Sequence, residues 1–249
     1  MARVRSGRPW VDRAGIDFEP DRVSEILRGI LEDLRLVSRG LTPDLERIRA
    51  LAEKDESAPA GLLEAILSND STRVDQLATK TEFPSRLLRF LGGYLARPFL
   101  AAAVRGFDPE SVDANLSNAS CPACGCTAEL GFLMPENGKR HLWCRHCGTD
   151  WAVLRLKCPV CSNTDGETLG YFVLEGDRGR RVDFCRRCGR YMKTIDARET
   201  GGGDPFARAD IENLSSEELD TAAAHEGFEP AAGACVPALV TKGETDEKP

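Results

Sequence analysis

Eight of the ten cysteines in this 249-residue chain lie between Cys121 and Cys188 as four CxxC pairs: Cys121/Cys124, Cys144/Cys147, Cys158/Cys161 and Cys185/Cys188. A CxxC followed by Gly or Ser forms a tight turn that aims both sulfurs at one point, so two such knuckles close a four-sulfur metal site. Here they read CPACG, CRHCG, CPVCS and CRRCG. Four thiolates around a divalent ion carry a net charge of about −2 and leave no open coordination position. With zinc such a site is structural, and its binding energy folds a unit too small to have its own core. With iron the same tetrahedron is a rubredoxin-type one-electron centre. The expected cofactors are therefore two tetrahedral S4 metal ions, iron or zinc. Arg145, Arg186 and Arg187, inside the knuckles, are expected to offset the thiolate charge.

Other cysteine chemistry fits the pattern less well. Thioredoxin-like dithiol exchange uses one CxxC at the start of a helix, whereas four border turns and strands here. A disulfide framework belongs to an oxidising compartment. Met1 to Trp10 are followed by no signal-peptide h-region, and no apolar run approaches the roughly twenty residues of a membrane span. The expectation is a cytoplasmic protein whose cysteines stay reduced. Cys126 and Cys235 stand outside the pairs and are expected as free thiols, with Cys126 near enough to replace a neighbouring ligand. His146, between two ligands, should point away from the metal, while His141 and His225 read as surface residues. Trp143 and Trp151 bracket the second knuckle and read as its cover. No catalytic residue is expected, since the chain shows no paired carboxylates at an apolar pocket, no Ser/His/Asp set and no phosphate-cradling glycine loop.

The knuckle region repeats itself, and the repeat suggests which pairs meet. Leu130-Gly131-Phe132 follows the first knuckle as Leu169-Gly170-Tyr171 follows the third, and Trp143 to Gly148 matches Phe184 to Gly189. Each unit carries a hairpin signal between its knuckles, Asn137-Gly138 in one and Gly176 to Gly179 in the other. A sequential arrangement follows, with Cys121, Cys124, Cys144 and Cys147 at one site and Cys158, Cys161, Cys185 and Cys188 at the other. Cross-bracing, first knuckle with third, is the alternative.

Ahead of the knuckles lies a segment with helical periodicity. Residues 1–18 are polar and Arg/Gly-rich and read as a mobile arm. From 19 to 117 the apolar residues recur at three-and-four spacing. They are Val23, Ile26, Leu27, Ile30, Leu31 and Leu34, then Leu45, Ile48 and Leu51, then Leu62, Leu63, Ile66 and Leu67, then Val74, Leu77 and Ala78. A last and most apolar helix, with Leu87, Leu88, Leu91, Tyr94 and Leu95, is expected to end or kink before Pro98. Gly92-Gly93 reads as close helix packing or a kink. The fold class is thus α plus small β: an all-helical domain, two rubredoxin-like or zinc-ribbon modules at 118–156 and 157–198, and an acidic segment at 199–249. That last segment carries one helix at about 214–226, opened by Ser215 with Glu218 as a capping box, and residues 229–249 read as disordered.

Charge limits the partners. The net charge of −7 argues against nucleic acid and anionic membrane. The balance is nonetheless basic around Arg178, Arg180, Arg181, Arg186, Arg187 and Arg190, and acidic after Arg198, so the terminal helix is expected to fold back on the basic face around Arg186. The oligomeric state is open, self-association included.

The chain resembles the formate dehydrogenase accessory protein FdhE family over residues 20–230, specifically so from Cys121 to Asp196. The string Tyr171, Phe172, Glu175, Cys185, Cys188, Tyr191 and Lys193, and the HEGF motif closing an acidic helix, carry the likeness most sharply. Two departures stand out: Asn115-Leu116-Ser117-Asn118 occupies the place of an expected tryptophan, and Ser162 replaces the glycine usual after the third knuckle. The resemblance implies a cytoplasmic, non-catalytic protein with the eight CxxC cysteines as metal ligands. It also implies maturation of molybdenum- or tungsten-dependent formate dehydrogenase through contact with the catalytic subunit. Two alternatives stay open: an iron redox protein acting on the same client, and a zinc-ribbon nucleic-acid binder gripping phosphates through Arg178 to Arg190.

Overall fold

The computed structural model describes residue 4 and residues 7–37, 42–55, 57–115, 117–199 and 203–231. Five α-helices come first: α1 (Pro20–Val37), α2 (Thr42–Lys54), α3 (Ser57–Leu67), α4 (Ser71–Thr81) and α5 (Ser85–Ala103). Their apolar stripes become one core, with Val23, Leu27, Leu31, Leu45, Ile48, Leu63, Val74, Leu91, Leu95 and Leu100 all buried. Asp70 caps α4 by accepting from the Arg73 N–H at 2.9 Å. α5 departs from one expectation and meets another. It continues through Pro98 as one helix, because Leu95, Ala96 and Leu100 on both sides of the proline are buried in the same core and hold the chain helical. Gly92 marks a close helix crossing: a Cβ there would lie 2.5 Å from Ile66 Cγ1 on α3.

The knuckle region forms two three-stranded antiparallel meanders. The first holds β1 (Leu130–Leu133), β2 (Arg140–Trp143) and β3 (Asp150–Val153); the second holds β4 (Leu169–Phe172), β5 (Arg180–Cys185) and β6 (Arg190–Asp196). The Gly138 turn closes the first hairpin with φ +63°. What the repeat did not reveal is that the meanders fuse. β1 pairs parallel with β6, Leu130 opposite Lys193 and Leu133 opposite Asp196, giving the order β3-β2-β1-β6-β5-β4. β7 (Glu229–Pro230) adds a short parallel pair at Arg190 and Tyr191.

One sheet face, carrying Leu142, Trp151, Val153 and Met192, packs into the helical core. The opposite face carries Leu130, Phe132, Trp143 and Ile195 in one cluster and Val182 and Tyr191 in another. C-terminal elements cover it: α6 (Ala209–Leu214), which the sequence reading missed, and α7 (Glu217–His225). Leu219 and Ala223 of α7 are fully buried against Val182 and Tyr191. The expected Ser215 capping box does not form. Ser215 Oγ instead accepts from Arg180 at 3.2 Å, and α7 begins after Ser216 with no side-chain cap.

Two termini also differ from expectation. Residues 7–18 are not a loose arm: Trp10 N and Val11 N donate to the carbonyls of Pro122 and Ala123 at 2.9 Å each, and the Trp10 ring packs tilted against Phe107 with centroids 5.7 Å apart. Residues 229–231 are ordered alongside β6, with Ala231 N donating to Tyr191 O at 2.7 Å. Residues 232–249, Cys235 among them, lie outside the described residues. Among the described residues no helix is long and apolar enough to cross a membrane.

Candidate metal centres

All four knuckles are built on the same backbone turn. The residue four after the first cysteine donates its N–H back to that cysteine's carbonyl: Gly125 to Cys121 and Gly148 to Cys144 at 2.8 Å, Ser162 to Cys158 and Gly189 to Cys185 at 2.9 Å. Closing so short a turn puts that residue in the left-handed region, at φ +80°, +77°, +60° and +68° respectively. Glycine meets this requirement without a Cβ clash, and Ser162 meets it against one. A second bond, from the first cysteine's N–H to the carbonyl five residues on, ties Cys121 to Cys126, Cys144 to Thr149 and Cys158 to Asn163 at 2.7–2.9 Å. These turns are local, so the spacing alone foretold them.

The strands then bring the knuckles together in sequence order. The sulfurs of Cys121, Cys124, Cys144 and Cys147 form one group and those of Cys158, Cys161, Cys185 and Cys188 another, each with all Sγ atoms within 4.8 Å of one another. Cys121–Cys147 and Cys124–Cys144 are 3.6 Å apart, and Cys158–Cys188 and Cys161–Cys185 are 3.8 Å apart. A metal–sulfur bond of about 2.3 Å in a regular tetrahedron places sulfurs about 3.8 Å apart, so the donor set fits a four-coordinate ion. All eight are free cysteines. Cross-bracing of the first and third knuckles does not occur.

The two groups sit in different surroundings. The first is wholly buried and belongs to the same core as the helices. Burial pushes the Cys121 and Cys144 thiols well up, while hydrogen bonds from Cys121, Cys124 and Cys144 hold Cys147 well below the usual thiol range. In the second group Cys161 and Cys188 are half-buried. Burial pushes Cys158 up to about 12; Cys185, despite its burial, is drawn down to about 7 by the Cys188 N–H, the Asn163 amide and the Arg187 N–H. Asn163 Nδ2 lies 3.6 Å from Cys185 Sγ.

The residues flanking the knuckles meet some expectations and depart from others. Arg145 ion-pairs with Glu129 at 3.4 Å and lies 4.8 Å over the Tyr94 ring, and Arg186 stacks 5.0 Å over Phe184. The guanidinium whose charge meets the first group is Arg13, from the N-terminal arm. Burial lowers its pKa, the charges of Cys124 and Cys144 raise it, and its Nη1 donates to Cys126 Sγ at 3.2 Å. No sequence signal marked Arg13 among its arginine-rich neighbours. Cys126, expected as a free thiol, is fully buried and disulfide-bonded. Trp151 does cover the first group, donating Nε1–H to Asn118 O at 3.1 Å. Trp143 faces the other side of the sheet, because consecutive strand residues alternate faces. As expected, neither histidine joins a sulfur group: His146 Nε2 lies 3.9 Å from Glu129, and the part-exposed His141 bonds Asp150 at 2.8 Å.

No family model matches the chain. An FdhE homolog of Aquifex aeolicus is 30% identical over 234 residues, covering 91% of this chain and 74% of that protein. The chain belongs to the FdhE family. An FdhE homolog of Pseudomonas putida is likewise 30% identical, over 81% of this chain but only 61% of its own length. The crystal structure of the FdhE protein from Pseudomonas aeruginosa shares the fold, with a TM-score of 0.62 and 23% identity over 94% of this chain and 78% of that one.

The residues that carried the likeness to this FdhE family hold the second module to its cover. Tyr191 OH donates to Asp220 Oδ1 at 2.8 Å, and burial followed by this bond raises the phenol's pKa. Lys193 Nζ donates to Asp220 Oδ2 at 2.8 Å and to Asn213 O at 2.7 Å. In the HEGF motif Gly227, at φ +81°, turns the chain so that Phe228 stacks on Phe184 with centroids 4.6 Å apart.

Proposed function

We propose that the chain is an accessory protein for a molybdenum- or tungsten-dependent formate dehydrogenase, contacting the catalytic subunit in the cytoplasm through a surface stapled by two metal ions. Cys121, Cys124, Cys144 and Cys147 would hold one ion, and Cys158, Cys161, Cys185 and Cys188 the other. The observation that carries this reading is the pair of sulfur groups at tetrahedral spacing, set in a chain of the FdhE family. Bound metal would supply a rigid cross-link and, if iron, one electron. The chain's own residues supply the rest: the left-handed turns that aim the sulfurs, Arg13 beside the buried group, and the Arg97–Asp210 pair at 2.6 Å that ties α5 to α6. No residue is assigned a catalytic role.

Affinity purification from the native host tests the client. Recovery of a formate dehydrogenase catalytic subunit is expected, and its loss from Cys185→Ala/Cys188→Ala together with one metal equivalent. A folded, metal-depleted double variant that keeps the subunit would reject the stapled surface. The redox reading has one observation of its own, the half-exposed Cys161 and Cys188, which bring the second site close enough to the surface for electron transfer. Metal analysis with a visible spectrum of anaerobically purified protein separates the two, since a colourless zinc protein passes no electron. The nucleic-acid reading is weakened by pairing within the chain. Arg180 is held by Glu212 at 2.9 Å, Arg181 by Asp183 at 2.9 Å and Arg190 by Glu229 at 3.0 Å.

A further inference from the structure

The sheet face that meets the helical core in the first meander is open in the second. There it floors a cavity of about 440 Å³, walled by the segment from Arg155 to Val160 that joins the two modules. The charges on this floor do not balance. Arg140 on β2 and Arg181 on β5 both turn to a single carboxylate, Asp183, with Arg140 Nη2 at 3.2 Å from Oδ2 and Arg181 Nε at 2.9 Å from Oδ1. The side chains of Arg140, Arg181 and Asp183 are 5%, 13% and 14% exposed; Asp196 also feels the Arg181 charge but is paired with Arg198, so three cations face two carboxylates. Asp183 also accepts from Thr194 Oγ1 at 2.7 Å.

Proximity here is not hydrogen bonding. Arg140 Nε and Nη2 and Arg181 Nε are buried, and among the described residues none has a hydrogen-bond partner. A charged guanidinium N–H removed from water without an acceptor is destabilising, which favours an acceptor at this floor. The fold holds Arg140 in this position: it reaches across β1 at Gly131, where an added Cβ would lie 2.7 Å from Thr194 Oγ1 and 3.6 Å from Arg140 Nε. Around the floor the rim adds Arg155, exposed, and Lys157. The mouth is apolar, with Tyr171 61%, Leu156 78% and Val160 40% exposed, and Tyr171 is fixed beneath the Arg181 guanidinium at 4.6 Å.

We propose that this cavity binds an oxyanion, a carboxylate or phosphate monoester, carried on a molecule with an apolar or aromatic body. The oxyanion accepts from the guanidinium edges of Arg140 and Arg181 that line the cavity and supplies negative charge to this cationic floor, while the body rests on Tyr171, Leu156 and Val160. A cavity of this size is in the range that takes small organic ligands. The site goes beyond the accessory reading and does not depend on which client is served.

Ligand-observed NMR and calorimetry on the full metal-loaded chain test it, with phenyl phosphate, benzoate and inorganic phosphate as probes and benzyl alcohol as the neutral control. Saturable binding of phenyl phosphate or benzoate is expected, whichever binds tighter naming the oxyanion, with benzyl alcohol at least tenfold weaker. Arg140→Met should lower affinity at least tenfold. Arg155→Glu, an exposed change that leaves the floor intact, should lower it about threefold and flatten its salt dependence. Absence of saturable binding by either aromatic anion overturns the proposal, as does affinity unchanged in both variants. Inorganic phosphate binding as tightly as phenyl phosphate overturns the assignment of an apolar body.

Discussion

Replacing Gly189 with alanine isolates what the left-handed turn contributes to a metal knuckle. Gly189 sits at φ +68° and a Cβ built there meets nothing within 4 Å, so the change adds backbone strain without steric overlap. An L-residue held left-handed costs about 1–2 kcal/mol, and the stiffer unfolded chain returns roughly 0.4–1 kcal/mol, leaving a net loss of about 1 kcal/mol. Because a small metal-stapled module folds as it binds, that loss is expected as about a fivefold weaker second site. Competition against a chromophoric chelator measures it on the full chain, with the first site as internal reference. Gly189→Asn should lose less, since asparagine tolerates this region. Ser162→Gly, relieving the same strain at φ +60°, should tighten the site. Equal losses for alanine and asparagine, or no loss for alanine, would refute the reasoning.

Three further outcomes are expected. Gly92→Ala should destabilise the helical half by about 1 kcal/mol in denaturant unfolding: overpacking against Ile66 costs about 1–3 kcal/mol, against roughly 1 kcal/mol gained in helix propensity, and the same change should cost less when made in an Ile66→Ala background. Asp220→Ala strips the carboxylate from Lys193, whose side chain is 6% exposed; with Asp220 itself 41% exposed and water able to replace part of the pair, the cost is about 1–2 kcal/mol, seen as faster proteolysis within 209–231 while the sheet stays protected. Asp196 is held below its usual 3.8 by the Arg198 side chain, so its contribution is complete at neutral pH and fades as pH falls below about 3.8 through the depressed folded value. The stability gap between the parent chain and Asp196→Asn should accordingly be present at pH 7 and close in acid; a gap that widens in acid would show the opposite linkage.

Much of the site was legible because its determinants are local. A CxxC turn closes within five residues, so the identity of each pair and the residue behind it, glycine or Ser162, are written side by side in the chain. The helical stripes were legible for the same reason, as Val23, Leu27 and Leu31 on one face of α1 illustrate. Pro98 misled: its missing N–H disfavours a helix locally, but burial on both sides outweighed it. Ser215 misled in the other direction, its hydroxyl turning to Arg180 instead of to a helix end.

By itself, then, the sequence determined that four CxxC turns form and that helices precede them, and its repeat favoured tetrads closed in order over cross-bracing, which the structure decided. Only the tertiary structure decided that the repeats fuse through β1 and β6 into one sheet, because strand edges carry the same N–H and C=O groups whatever their neighbours and side-chain pattern does not name a distant partner. The same long-range packing laid Arg13 beside the first tetrad and gathered Arg140, Arg181 and Asp183 from two modules onto one floor. Charges far apart in the chain balance, or fail to balance, only once folding has removed the water between them.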